Sequence, residues 1–334
     1  MKKRGRGIGL SFYGTGYGNG FPDVSTCIVR LLDNGKVGLF VGGSEVGQGA
    51  KTIFKQLAAE TIDMSINDII LEMEDTSNTP DSGTAAASRQ TYNTGNAIKI
   101  ACENFVHEMK EVSKRELKLN TSLGLKVSCN KVYLENYPQK SITFKELAIL
   151  NGEKSIEAKG RFTAQTVQMD DETGQGAPYW PYTFNASGVE VEVDTLTGKV
   201  DILKAVIAQD VGRAINPNMV EGQMDGGFAM ALGFVLFEDL RLNEGKIENN
   251  KFSRYLIPTA MDLVHLNKII VEEPESTAPY GAKGIGEPVT IPFGPALLNA
   301  IYDAIGVRIT ELPATPERIV AAIACGKEKE KLDG

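Results

Sequence analysis

The chain has 334 residues, 42% of them hydrophobic and 23% charged, enough to bury one large core or two medium ones. A net charge of -8 with no sustained basic stripe argues against nucleic acid or an anionic membrane surface as a partner. No apolar run approaches the ~18 residues of a membrane span, and the start after Lys2-Lys3-Arg4-Gly5-Arg6 is too polar for a signal segment, so a cytoplasmic protein is expected.

In chain order, the first distinctive segment is Ser11-Phe12-Tyr13-Gly14, after which Gly16, Gly18 and Gly20 make the backbone pliable. Phe12 and Tyr13 either pack as core or offer a ring face and a phenol to a ligand. Val29 to Val37 reads as a β-hairpin turning at Gly35. Val37, Leu39 and Val41 suggest its second strand, and Ile53, Phe54, Leu57, Ala58, Thr61 and Ile62 recur at helical spacing. Between them lies Gly42-Gly43-Ser44-Glu45-Val46-Gly47-Gln48-Gly49. Strand, glycine loop and helix in that order make an anion site, the alternative being a tight structural turn. The loop is neither a P-loop nor a Gly-x-Gly-x-x-Gly fingerprint.

Asp81 to Thr91 is a small-residue, hydroxyl-rich loop entering a helix marked by Ile98, Ala101, Cys102, Phe105 and Met109. Its small side chains expose backbone donors, Ser88, Gln90 and Thr91 add their own, and Arg89 either binds an anion or lies solvated on the helix. Residues 113–180 read as a peripheral region of short elements that ends in the loop Asp170 to Pro178.

Val191 to Val200, turning at Gly198, echoes the first hairpin. Each copy is followed by a second strand, a loop carrying Val-Gly (Val46-Gly47, Val211-Gly212) and a helix, the later one opening at Asn216-Pro217 and containing Gln223. The expectation is an α+β fold of two related α/β subdomains, mixed sheets with flanking helices, whose loops converge on one site. Their bounds are 1–180 and 181–326, with 327–334 as a solvated charged tail.

Gly281-Ala282-Lys283-Gly284-Ile285-Gly286-Glu287-Pro288 places one carboxylate at the end of a glycine-paved loop and fixes it with a proline. Among apolar neighbours Ile285, Pro288 and Val289, Glu287 has the setting of a general base, although Gly-Glu-Pro is also an ordinary turn. Cys27, Cys102, Cys129 and Cys325 form no Cys-x-x-Cys pair, so this chain ligates no iron–sulfur cluster and its thiols are expected to be buried. Two histidines, His107 and His265, give no zinc or triad pattern.

The glycine loop at 42–49, the Ala-Ala-Ala-Ser-Arg-Gln loop at 85–90, Asn216-Pro217 with Gly222-Gln223, and Gly-Ile-Gly-Glu-Pro at 284–288 occur here in the order found in the molybdenum hydroxylases. The chain resembles the C-terminal half of the molybdopterin-binding region of the xanthine dehydrogenase and aldehyde oxidase family, from about Gly7 to Ala324. The resemblance implies that Val46, Gly47 and Gln48 line the metal and pterin, and that Ala86, Ala87, Ser88, Arg89 and Gln90 hold the pyrophosphate region. Gln223 and Lys283, Gly284, Ile285 and Gly286 would add cofactor contacts, and Glu287 would be the active-site base. Phe12 stands where family members place an aromatic beside the substrate ring, with Tyr13 next to it.

The implied cofactor is molybdopterin with molybdenum, in the cytosine dinucleotide form. The pterin rather than any side chain holds the metal, whose terminal ligand would be sulfur or selenium. Such enzymes pass electrons to iron–sulfur clusters and FAD, which would sit in an iron–sulfur subunit and a FAD subunit. A second molybdopterin subunit would supply the N-terminal half of the region. This split arrangement resembles the heteroaromatic hydroxylases of the family, nicotinate dehydrogenases above all, with split purine dehydrogenases as the alternative. The expected reaction is hydroxylation of an electron-poor N-heteroaromatic ring, nicotinate to 6-hydroxynicotinate, with water as the oxygen source. A non-catalytic assembly subunit is the competing expectation, and the presence of Glu287 weighs against it.

Overall fold

The computed structural model describes residues 1–18, 21–152 and 154–332, the last six of these without their side chains. Asn19 and Gly20 of the glycine-rich segment, and the charged side chains expected in the tail, therefore lie outside the described residues. Strand β1 (Lys2–Gly14) precedes the hairpin of β2 (Val24–Leu31) and β3 (Val37–Val41), which pair antiparallel. Gly35, at the turn, has a φ of 80°, a left-handed conformation that a side chain resists. Helix α1 (Ala50–Ile62) then carries the chain to β4 (Ile69–Glu72), parallel to β3.

Helix α2 (Gly95–Glu116) follows, and then a separate antiparallel meander of β5 (Leu125–Ser128), β6 (Lys131–Leu134) and β7 (Tyr137–Thr143), closed by α3 (Phe144–Asn151). Strand β8 (Glu157–Thr163) returns to β2, and the sheet order is β4-β3-β2-β8. The region expected to be peripheral thus contributes an edge strand to the sheet built on the first hairpin. Gly160 on that strand makes this possible, because a β-carbon there would strike the α2 backbone at Ala97 and Ala101.

The second hairpin, β9 (Tyr182–Asp194) and β10 (Val200–Asp210), turns at Gly198, whose φ is 75°. Beyond it come α4 (Pro217–Leu232), the short pair β11 (Leu242–Asn243) and β12 (Lys246–Ile247), and β13 (Leu266–Val271), parallel to β10. Helices α5 (Phe293–Ile305) and α6 (Pro316–Leu332) complete the chain. The sheet order here is β1-β9-β10-β13.

The two sheets follow one plan. In each, an antiparallel hairpin sends a helical crossover from its second strand to a parallel neighbour. In each, the neighbour of its first strand uses glycine to bring a helix backbone close. Gly160 does this against α2, and Gly5, Gly7 and Gly9 of β1 do it against α5 at Ala304, Ala300, Ala296 and Pro292. The echo between the two sequence hairpins is therefore present in the topology.

The chain divides into one unit of Gly14–Pro181 with Pro274–Gly284 and another of Met1–Tyr13, Tyr182–Glu273 and Ile285–Gly334. Two segments have changed sides relative to bounds of 1–180 and 181–326. β1 joins the second sheet because it is the edge partner of β9. Pro274–Gly284 joins the first unit through Thr277, whose hydroxyl shares a 2.8 Å hydrogen bond with Tyr92 and whose carbonyl accepts from Asn96 Nδ2 at 2.9 Å.

Val29, Leu39, Phe54, Leu57, Ile98, Phe105 and Met109 are buried in the first unit. Val191, Ile207, Met224, Phe293 and Ile301 are buried together in the second. Cys27 and Cys102 are buried, which pushes both thiols up, whereas Cys129 and Cys325 are exposed, contrary to expectation. Among the described residues no helix is long and apolar enough to cross a membrane.

Candidate active site

The glycine loop after β3 carries its own anion. The Glu45 carboxylate accepts from the amides of Gly47 at 2.8 Å, Gly49 at 2.9 Å and Lys51 at 3.0 Å. Helix α1 has Gly49 as its N-cap with no side-chain cap there, so Glu45 serves donors that the helix start leaves unpaired. Partial burial opposes ionisation of Glu45, but these amides and the Lys51 ammonium outweigh it and hold the carboxyl below its usual value. The anion site expected at this helix is therefore filled by the chain itself.

The apex of the loop is open: Val46 is 75% exposed, and Gly47, at a φ of 105°, has nothing within 4 Å of where a β-carbon would lie. Gln48 braces this apex, accepting from the Val46 amide at 2.7 Å and donating from Nε2 to the Ser44 carbonyl at 2.8 Å. An amide nitrogen has two hydrogens, so one donor remains once Ser44 is served.

Arg89 takes neither of its expected roles. It is 0% exposed, and its guanidinium is committed to protein. Nε donates to Asp23 Oδ1 at 2.6 Å, Nη1 to the carbonyls of Ser82 at 2.7 Å and Thr84 at 3.3 Å, and Nη2 to the Val24 carbonyl and Ser25 Oγ, both at 2.8 Å. The ring of Tyr17 lies 4.8 Å from Cζ. Gln90 is also buried, donating to the Thr84 carbonyl at 3.0 Å and accepting from Thr94 Oγ1 at 2.8 Å.

These two side chains therefore shape the loop from beneath and are not available to a pyrophosphate. Above them the backbone is strained, since Ala87 and Ser88 both have left-handed φ, 56° and 51°. Such conformations cost about 1 kcal/mol or more each and concentrate at ligand clamps. Ala86 is exposed, Ala87 and Ser88 are half-buried, and the Ser88 carbonyl lies where a side chain at Gly284 would have to go.

In the other unit Glu287 is exposed at the tip of its loop, while Pro288 and Val289 are buried. The apolar neighbours thus anchor the carboxylate's loop and do not enclose the carboxylate. The Glu287 carbonyl accepts from the Thr290 amide at 3.0 Å, the Pro288 carbonyl accepts from Asn185 Nδ2 at 2.5 Å, and Val289 fills the space beside Gly227 of α4.

Gly222 and Gly226 flank Gln223 on the same helix, and a β-carbon at either would meet nothing within 4 Å. Each helix-interior glycine costs about 0.5–1 kcal/mol relative to alanine, with no packing gained at these two positions, which suits a ligand that approaches the backbone. Phe12 is exposed and not core, stacked on Tyr182 at 4.5 Å and Phe184 at 4.9 Å between ring centroids. Bare backbone, side-chain amides and an open aromatic shelf fit a flat, polar ring system.

Residues 1–264 match the family model described as the molybdopterin cofactor-binding domain. The chain belongs to the molybdopterin-binding domains of the xanthine dehydrogenase and aldehyde oxidoreductase family. It is 31% identical over 327 residues to a probable xanthine dehydrogenase subunit of Bacillus subtilis, covering 96% of this chain and 42% of that protein. Among solved structures it matches quinoline 2-oxidoreductase from Pseudomonas putida with a TM-score of 0.80 and 25% identity, over 97% of this chain and 42% of that one. The aldehyde oxidoreductase of Desulfovibrio desulfuricans gives 0.78 and 33%, over 96% and 32% respectively. The chain thus spans less than half the length of each of these relatives.

Several residues that build these loops escape a reading by motif. Glu45 was legible as the acid in a glycine loop before a helix without a Ser, Thr, Asp or Asn cap. Tyr182-Thr183-Phe184 alternates in the way that sets two rings on one face of a strand. Asn185 and Asp23 carry no local signal, because their partners are distant in sequence.

Proposed function

We propose that the chain is the molybdopterin-binding part of a cytoplasmic molybdenum-dependent oxidoreductase that hydroxylates an electron-poor N-heteroaromatic ring, nicotinate being the first candidate. The observation that carries this reading is Glu287, a carboxylate exposed on a loop anchored at both of the residues that follow it. Quinoline, in the name of one structural relative, supports the heteroaromatic class. When bound, the molybdenum cofactor, taken to be the cytosine dinucleotide form, supplies two-electron redox chemistry with water as the oxygen source.

The side chains do the rest. Glu287 accepts a proton from the water-derived nucleophile, and Phe12 with Tyr13 orients the ring. Val46, Gly47 and Gln48, the backbone of Ala86 to Ser88, Gln223 and the Lys283 to Gly286 segment hold the cofactor, with Arg89 and Gln90 shaping the loop. Gln48→Ala removes both the brace of the apex and the remaining donor. It is expected to lower molybdenum and pterin content, or the rate per molybdenum, while KM stays within about twofold; a change in KM alone would show that the loop reads substrate.

Partners are proposed from an inverted strand. β1 turns glycines toward α5 and sets Ile8, Leu10 and Phe12 outward, where all three are exposed with Phe184. An apolar row of this kind marks an interaction surface. The proposed complex holds a second molybdopterin polypeptide, an iron–sulfur subunit and a FAD subunit, with an obligate contact above about 2,000 Å². Purified from its source, the chain should co-elute with them in fixed ratio and contain molybdenum. A soluble monomer that oxidises nicotinate with an artificial acceptor would remove the split arrangement, and a complex free of molybdenum would remove catalysis.

A further inference from the structure

Beneath the Glu287 loop lies a chain of polar side chains that no packing requirement explains. Ser11 Oγ donates to Asn185 Oδ1 at 2.7 Å, and Asn185 Nδ2 donates both to Gln209 Oε1 at 3.0 Å and to the Pro288 carbonyl at 2.5 Å. Gln209 Nε2 donates to Thr183 Oγ1 at 2.9 Å and to the Asp210 carbonyl at 2.7 Å, which Thr183 Oγ1 also reaches at 2.5 Å. Asn185 is 7% exposed, and Gln209 and Thr183 are 0% exposed. Burying three polar side chains is unfavourable unless they are paired, and here both hydrogens and the oxygen of the Asn185 amide are used.

The geometry of the last link matters most. Pro288 has no amide hydrogen and a fixed φ, so its carbonyl is the first hydrogen-bonding backbone group after Glu287. That carbonyl belongs to the peptide after Pro288, and because the ring fixes the intervening φ, clamping it restrains the Glu287–Pro288 peptide as well. At the other end, Ser11 is the residue before Phe12, whose ring stacks on Tyr182 and Phe184. The network thus ties the strand bearing the aromatic shelf to the loop bearing the carboxylate, through one amide.

We infer that Asn185 is a positioning residue for Glu287, setting the carboxylate in register with the aromatic shelf through the relay Ser11–Asn185–Pro288. This rests on the reading of Glu287 as the base, so the test carries its own control. In the purified complex, Asn185→Ala frees the Pro288 carbonyl and is expected to lower turnover per molybdenum by about 10- to 100-fold with KM little changed, as displacement of a catalytic group by about 1 Å does. Ser11→Ala should lower it by roughly threefold, and Ser11→Thr, which keeps the hydroxyl, should restore it.

Hydrogen exchange supplies a readout apart from activity. The Thr290 amide, bonded to the Glu287 carbonyl, should exchange at least about tenfold faster in Asn185→Ala while α4 and α5 exchange as before. Turnover per molybdenum within twofold of wild type, unchanged exchange at Thr290, or a loss explained wholly by lower molybdenum content or general loosening of the unit would each overturn the inference. Glu287→Gln, measured alongside, separates the two ideas. If it stays active the base assignment fails, and if it is inactive while Asn185→Ala is not, only the positioning role fails.

Discussion

Glu287→Gln is expected to leave the complex assembled with its molybdenum and pterin intact while turnover falls by about 100- to 10,000-fold, the usual loss when a general base is removed. That is about 3 to 5 kcal/mol of barrier. Glu287 is exposed, and its loop is held by the Pro288 carbonyl on Asn185, by Val289 beside Gly227 and by the turn from Thr290 to the Glu287 carbonyl, all of which glutamine leaves in place. Loss of molybdenum on substitution would therefore mean that Glu287 binds the cofactor. A base acts on the proton in flight, so kcat should fall with KM nearly constant. A variant retaining more than a third of wild-type kcat would place the base elsewhere.

What the sequence made legible, and what it hid, follows the range of the forces involved. The hairpins at Gly35 and Gly198 could be read directly, because a turn is specified by a few adjacent residues and a glycine at positive φ. The doubling of the fold was visible for the same reason, through two local patterns. The place of β1 was not: its partner β9 lies more than half the chain away, and its buried face consists of glycines, which carry no hydrophobic signal. The site divides in the same way. Glu287 stands out because its loop is written in consecutive residues. Arg89 was misread because a guanidinium in a small-residue loop looks available, and only Asp23, Val24 and Ser25, some 65 positions away, reveal that it is consumed. Gln90 hides in the same way, its side-chain amide lying where a β-carbon at Gly43 would go.

Arg89→Met is expected to destabilise the 82–94 region by about 3–5 kcal/mol, the usual penalty for removing one partner of a buried ion pair. The residue is 0% exposed, and its loss would leave Asp23, itself 6% exposed, with Asn93 Nδ2 at 2.6 Å and the Tyr17 amide at 3.2 Å as the side-chain oxygens' donors among the described residues. It would also strip donors from the carbonyls of Val24, Ser82 and Thr84, leaving Ser82 with the Ser25 hydroxyl and Thr84 with Gln90 Nε2 among the described bonds. Hydrogen exchange on the assembled complex measures this locally, and about 3 kcal/mol corresponds to amides opening on the order of 100-fold more often. Removing both charges should hurt less than the sum of the parts: Arg89→Met with Asp23→Leu leaves no orphaned carboxylate, so the coupling between the two substitutions should be favourable and well above about 1 kcal/mol. The cofactor should be lost only as the Ala87-Ser88 backbone loosens, in step with exchange. Arg89→Met that keeps full protection across 82–94 yet releases the pterin would show the guanidinium to be a direct cofactor ligand, and the buried pair with Asp23 would then not be its main function.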